Sequence, residues 1–142
     1  MTDKAQILVI MPPGLRRSEL MAALKVLDTN PIEAADCREA RRLLANRRRL
    51  NLVISDVDFR DGDWRDNLAL TQERPDGVAF LVSTPLADEE LWSEALWRGA
   101  YDVLAEPYST MELCRIVEGA LRSSSGSGAK ALRAIGRMAQ AV

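Results

Sequence analysis

Five short apolar runs recur along this 142-residue chain, and amphipathic stretches fill the gaps between them. Gln6-Ile7-Leu8-Val9-Ile10, Leu50 to Ser55 and Val78 to Val82 are almost unbroken runs of large aliphatic and aromatic side chains. Runs of that length read as strands covered on both faces, as in a parallel sheet. Ile32 to Ala35 and Tyr101 to Leu104 are weaker versions of the same signal. Between them, Leu15, Leu20, Met21, Leu24 and Leu27 recur at helical spacing, and Asn30-Pro31 closes that helix. Asp36 is placed to cap a helix from Cys37 to Arg47, with Ala40, Leu43 and Leu44 inward and Arg38, Arg41 and Arg42 outward. Trp64 to Gln72 forms the third helix, after a turn at Arg60-Asp61-Gly62-Asp63. Asp88 caps a fourth helix that Gly99 ends, and Ser109 with Glu112 makes a capping box for a fifth, running to about Leu121. Strands and helices alternating at this rhythm predict an α/β fold: a five-stranded, doubly wound, flavodoxin-like parallel sheet.

Composition removes several function classes. The chain has no histidine, the usual neutral-pH base and a frequent metal ligand, so triad hydrolases and common zinc enzymes are disfavoured. Net charge is −2, so no global field draws it to nucleic acid or an anionic membrane. No apolar run is long enough to span a bilayer, and the polar start Thr2 to Gln6 has no secretory pattern. Cys37 and Cys114 have no metal-binding or redox spacing, and are expected as buried thiols in a reducing cytoplasm. Arg38, Arg41, Arg42, Arg47, Arg48 and Arg49 make a local basic patch, expected as a solvated helix face. Domain organisation reads as one unit over 1–122, a Ser/Gly linker over 123–128, and a basic, amphipathic segment over 129–142.

Ligands of open α/β sheets bind outside the carboxyl ends of the strands. Here those ends carry Met11-Pro12, Asp56, Thr84 and Glu106. Asp56 closes an apolar run, Leu52-Val53-Ile54-Ser55-Asp56, and is the first candidate for chemistry.

Several pieces together make the chain resemble a response-regulator receiver domain of two-component signalling. They are Ile54-Ser55-Asp56, Thr84, the run Ala87-Asp88-Glu89-Glu90-Leu91, Gly99-Ala100-Tyr101-Asp102, and Glu106-Pro107 followed by Tyr108-Ser109. The resemblance implies that Asp56 is the phosphoacceptor and that Thr84 binds phosphoryl oxygen. It also implies Mg²⁺ held by an acid pair after the first strand, and a lysine after the fifth. Phosphoryl transfer to a carboxylate needs a metal to offset charge and a cation to hold the product. This chain departs from that set: the acid-pair positions are Met11 and Pro12, and the lysine position is Glu106. Only Asp56 and Asp58, with Glu106, remain as oxygen donors for Mg²⁺, so the metal is doubtful. At an effective dielectric of about 20, unit charges ~4 Å apart interact by ~4 kcal/mol, so Glu106 in place of a lysine strongly disfavours a phosphorylated Asp56. Asp56 and Glu106 then either share a proton or are neutralised by Arg16 or Arg60.

The resemblance also implies a non-enzymatic, cytoplasmic signalling module whose partner is a histidine kinase, an output protein or a second copy. Trp92, Leu96, Trp97 and Tyr108 are the candidate interface residues, since exposed Trp marks binding surfaces. The favoured reading is a phosphorylation-weak or phosphorylation-independent interaction domain. The alternative is a working phosphoacceptor. A small flavodoxin-like enzyme or nucleotide binder comes last, because Met11-Pro12-Pro13-Gly14 lacks a glycine-rich phosphate cradle.

Overall fold

The computed structural model describes residues 4–86 and 88–124. Five parallel strands form the sheet: β1 (Gln6–Ile10), β2 (Asn30–Ala34), β3 (Leu52–Asp56), β4 (Ala79–Thr84) and β5 (Asp102–Ala105). Their order is β2-β1-β3-β4-β5, the expected doubly wound topology. The helices are α1 (Leu15–Val26), α2 (Cys37–Ala45), α3 (Trp64–Gln72), α4 (Glu89–Arg98) and α5 (Thr110–Ser123).

Alternate side chains of the central strands enter opposite cores. Ile7, Val9, Leu52, Ile54, Ala79 and Leu81 pack with Leu20 and Leu24 of α1 and with Leu113, Ile116 and Val117 of α5. Leu8, Ile10, Val53, Phe80 and Val82 pack with Ala40 and Leu44 of α2, Trp64 and Leu68 of α3, and Ala95 of α4. Burial on both faces is why these strands read as continuous apolar runs rather than as alternating ones.

The caps expected at Asp36, Asp88 and Ser109 are present, and Gly99 ends α4 at φ 108°. At Ser109 the backbone N–H of Glu112 donates to the hydroxyl, which in turn donates to the Glu112 carboxylate. Asp63 and Asp66 form a full capping box at α3 that the sequence reading did not identify.

Four features differ from expectation. Asn30-Pro31 belongs to β2 rather than to the end of a helix, which β2's position at the edge of the sheet allows. The turn at Arg60-Asp61 joins a two-residue antiparallel ribbon, Asp58–Phe59 with Gly62–Asp63. In α4, Leu96 is 2% exposed and turned inward, whereas Arg98 lies exposed and pairs with Glu94. Ser123, expected to open the linker, ends α5 and is buried, with its hydroxyl on the Ala120 carbonyl. The rest of the expected linker and the 129–142 segment lie outside the described residues.

Candidate functional site

The carboxyl ends of β3 and β4 open onto a cleft of about 650 Å³, lined by Arg16, Asp56, Asp58, Trp64, Thr84 and Leu86 among others. Arg16 enters it from the first turn of α1. Its Nη1 and Nη2 donate to the two oxygens of Asp56 at 2.9 and 3.1 Å. Its Nε donates to both Glu106 oxygens at 2.9 and 3.1 Å, and Nη2 donates to Glu106 Oε2 at 2.6 Å. One planar guanidinium thus presents one edge to each carboxylate, the fork geometry that arginine suits and lysine does not. The Glu106 hydrogen bond, followed by that of Asp56, raises the pKa of Arg16 against the opposing effect of burial. The group stays charged at any ordinary pH, and the three side chains carry one net negative charge.

Asp56 ends β3 with its side chain 10% exposed. Besides Arg16, its Oδ1 accepts from the backbone N–H of Val57 at 2.9 Å. Each oxygen of the expected phosphoacceptor is therefore engaged within the protein. Ser55, just before it, donates to the Asp56 carbonyl and accepts from Asn67 Nδ2 of α3, which fixes the end of the strand from below. Glu106 follows β5, with its N–H on the Thr84 carbonyl and a cis peptide bond to Pro107.

The structure brings Asp56, Thr84 and Glu106 to one mouth, with Arg16 rather than Arg60 between the two carboxylates. The Thr84 hydroxyl donates to the Leu86 carbonyl at 3.0 Å and accepts from the Leu86 N–H at 3.2 Å, so it caps its own loop. Met11 is 2% exposed in the core, with its N–H on the Ala34 carbonyl and its own carbonyl accepting from Arg17. Pro12 is exposed and offers no donor. Asp58 is exposed on the two-residue ribbon, and Arg60 is exposed and contacts neither carboxylate.

Mg²⁺ requires near-octahedral oxygen donors. Here the Asp56 and Glu106 oxygens already hold a guanidinium, Asp58 is the only expected donor left without one, and Met11 contributes a buried thioether. Among the described residues no group of three or more His, Cys, Asp or Glu is placed to hold a metal ion. The donor set as arranged does not fit Mg²⁺.

The far rim of the cleft is tied by a network not foreseen from sequence. Arg65 of α3 donates to both oxygens of Glu94 on α4 at 2.5 Å and to Asp63 at 2.9 Å, and Arg98 donates to Glu94 at 2.7 Å. The Arg65 hydrogen bonds, then that of Arg98, pull the Glu94 carboxyl down to about 2. Trp64, which opens α3, is 1% exposed and fills the floor beneath the cleft, with Arg65 above its ring at 4.9 Å. The Glu94–Arg98 spacing was legible as an i,i+4 pair; the link to Arg65 depends on how α3 and α4 pack.

The four expected interface residues separate. Trp97 is 81% exposed. Trp92 is half-buried, with Nε1 reaching Asp102 at 3.4 Å. Tyr108 packs half-buried against the α1/α5 core, where burial and then the Glu106 charge raise its pKa. Leu96 is buried and offers no surface in this conformation. Of the two cysteines, Cys37 is buried as expected, whereas Cys114 is partly exposed and directs its thiol at Glu118.

No protein-family model and no curated protein matches this chain. Solved structures do. The signal receiver domain of an HD domain-containing protein from Pseudomonas fluorescens Pf-5 is 25% identical, over 85% of this chain and 97% of that one, with a TM-score of 0.75. A CheY-like response regulator receiver domain from Methanospirillum hungatei JF-1 is 20% identical, over 86% and 97%, with a TM-score of 0.76. A structure of the CheX-CheY-BeF3-Mg complex from Borrelia burgdorferi is 19% identical, over 82% and 89%, with a TM-score of 0.75. The chain has the fold of response-regulator receiver domains. No helix among the described residues is long and apolar enough to cross a membrane.

Proposed function

We propose that this chain is an atypical receiver module of a two-component or phosphorelay pathway. It acts in the cytoplasm by binding a protein partner, with phosphorylation of Asp56 weak or absent, and it catalyses no reaction of its own. The observation that carries this reading is the Arg16 bridge between Asp56 and Glu106. A receiver carboxylate must have a free oxygen to attack phosphorus, a metal to offset charge, and a cation to hold the product. Here the attacking oxygens are occupied, the metal donors are lacking, and the position expected to hold a cation carries Glu106. Arg16 supplies instead an internal counter-cation, which holds the loops after β3 and β5 together without phosphorylation.

The partner in this reading is a histidine kinase, an output protein or a second copy of the chain. The Borrelia neighbour, solved as a complex with CheX, is one case of this fold bound to another protein.

Intact-mass measurement after incubation with acetyl phosphate and Mg²⁺ tests the proposal, run on wild type, Asp56→Asn and Arg16→Ala. The expected result is no adduct on wild type. A single phosphoryl adduct on wild type, lost in Asp56→Asn, overturns it in favour of a working phosphoacceptor.

A further inference from the structure

The helical layer α2–α3–α4 is charged with opposite sign at its two ends. At the β2 end, Arg38, Arg41 and Arg42 stand along the outer face of α2, and Arg47 and Arg48 follow it; all five are exposed. Among the described residues none of the five makes an ion pair. The segment carrying Arg47 and Arg48 is also held in place. The Arg74 side chain, 9% exposed, donates to the carbonyls of Leu44, Asn46 and Arg48 at 2.7, 3.0 and 2.7 Å, while Asp76 fixes it from the other side at 2.7 Å. These arginines therefore project from an ordered platform rather than from a loose loop.

At the β5 end, the outer face of α4 carries Glu89, Glu90, Ser93 and Trp97, all exposed. Trp97 is 81% exposed, and Glu89 and Glu90 make no ion pair among the described residues. Carboxylates beside an open indole form the chemistry that recognises a guanidinium, by ion pairing and by stacking on the ring. The two faces also match in length. Arg38 to Ala45 and Glu90 to Trp97 each cover two helical turns, about 10 Å.

We propose that the outer face of α2 in one copy docks on the outer face of α4 in the next, with Arg38, Arg41 and Arg42 against Glu89, Glu90 and Trp97. The occupant of each face is a second copy of this chain, because each carries the complement of the other. The two faces lie at opposite ends of one helical layer, so copies pair either reciprocally about a two-fold axis, each α2 on the other's α4, or head to tail. Either arrangement gives a mean mass that grows with concentration. Opposed exposed charges make such association weak and strongly screened once the Debye length falls below the contact size. The inference deepens the interaction-module reading by naming its partner. A phosphoryl adduct on Asp56 would overturn that reading and leave the present one standing.

Sedimentation velocity on the full chain over a concentration series tests it, at low ionic strength and at about 0.5 M salt. Wild type is expected to show a weight-average mass rising with concentration at low salt and monomer at high salt. Arg41→Glu/Arg42→Glu and Glu89→Lys/Glu90→Lys are each expected to be monomeric at low salt, with unchanged circular dichroism. An equimolar mixture of the two is expected to associate again, since the acidified α2 face of one meets the basic α4 face of the other. Trp97→Ala is expected to weaken wild-type association roughly tenfold, the loss of an aromatic anchor. Monomeric wild type at low salt and about millimolar concentration overturns the proposal. So does a mixture that stays monomeric, which would assign the arginine face to a different polyanion such as nucleic acid.

Discussion

Arg16 Nη2 lies 2.6 Å from Glu106 Oε2, and the same guanidinium holds both oxygens of Asp56. Removing the arginine leaves two carboxylates facing one another at a partly buried mouth. Losing one partner of a fully buried ion pair costs 3–5 kcal/mol. The Arg16 side chain is 36% exposed, so the cost here is discounted to about 1–2 kcal/mol. Arg16→Met keeps the stem and drops the charge, and is expected to lower stability by that amount in urea titration. Adding Glu106→Gln removes the repulsion and should recover at least half. A double variant no more stable than Arg16→Met would show that the bridge does not balance these charges.

Glu94 offers a pH-resolved test of the far rim. Its carboxyl is drawn from 4.5 to about 2 by Arg65 and then Arg98, so the folded state holds the charged form more tightly than the unfolded chain. Such a group contributes stability that is present above pH 4.5 and is lost as pH falls through about 2. Wild type should therefore melt above Glu94→Gln near neutral pH, and the two curves should converge as pH falls across that window. A gap that stays constant across the window would mean the glutamine variant acts through packing and not through charge.

How much of this could be read beforehand depended on whether local spacing or packing decided the matter. β1, β3 and β4 were legible because burial on both faces forces unbroken apolar runs, and Asp56 and Glu106 were legible as strand-end residues. The start of β2 was misread because Asn30-Pro31 is a good helix terminator and an acceptable edge-strand opening at once. Leu96 was misplaced because helix phase alone does not say which of two adjacent apolar residues faces the sheet. Arg16 and Arg60 were equivalent as neutralisers in sequence. Only the fold singles out Arg16, by bringing the first turn of α1 over the residues that end β3 and follow β5. Sequence leaves the Thr84 hydroxyl either facing an anion or capping its loop, and the backbone of Leu86, two residues on, decides for the cap.

Gly119 of α5 faces Tyr101, and a Cβ built there would sit inside the reach of the tyrosine hydroxyl. Alanine is ordinarily the better helix residue, by about 1 kcal/mol. Here overpacking should win, and Gly119→Ala is expected to lose about 1–3 kcal/mol in chemical denaturation. Tyr101→Phe in the alanine background removes the clashing oxygen and should restore part of that loss. Gly119→Ala as stable as wild type would mean that the packing of α5 on β5 is looser than the geometry requires.

The two thiols should differ in reactivity for reasons of access rather than acidity. Cys37 is 3% exposed, and burial, then the Asp61 charge, pushes its thiol up to about 12. The Cys114 thiol is also raised, chiefly by its hydrogen bond to Glu118, but it is partly open to solvent. The thiolate is the reacting species, so neither should alkylate as fast as a free cysteine near pH 8. Cys114 should label first in native protein, and Cys37 only after unfolding, when peptide masses are followed over time with iodoacetamide. Cys114→Ser should then abolish native labelling. In a Glu118→Gln variant, Cys114 should label faster than in wild type, because the carboxylate no longer opposes thiolate formation. Rapid native labelling of Cys37 would require the Asp61 loop over it to open, and would contradict its burial.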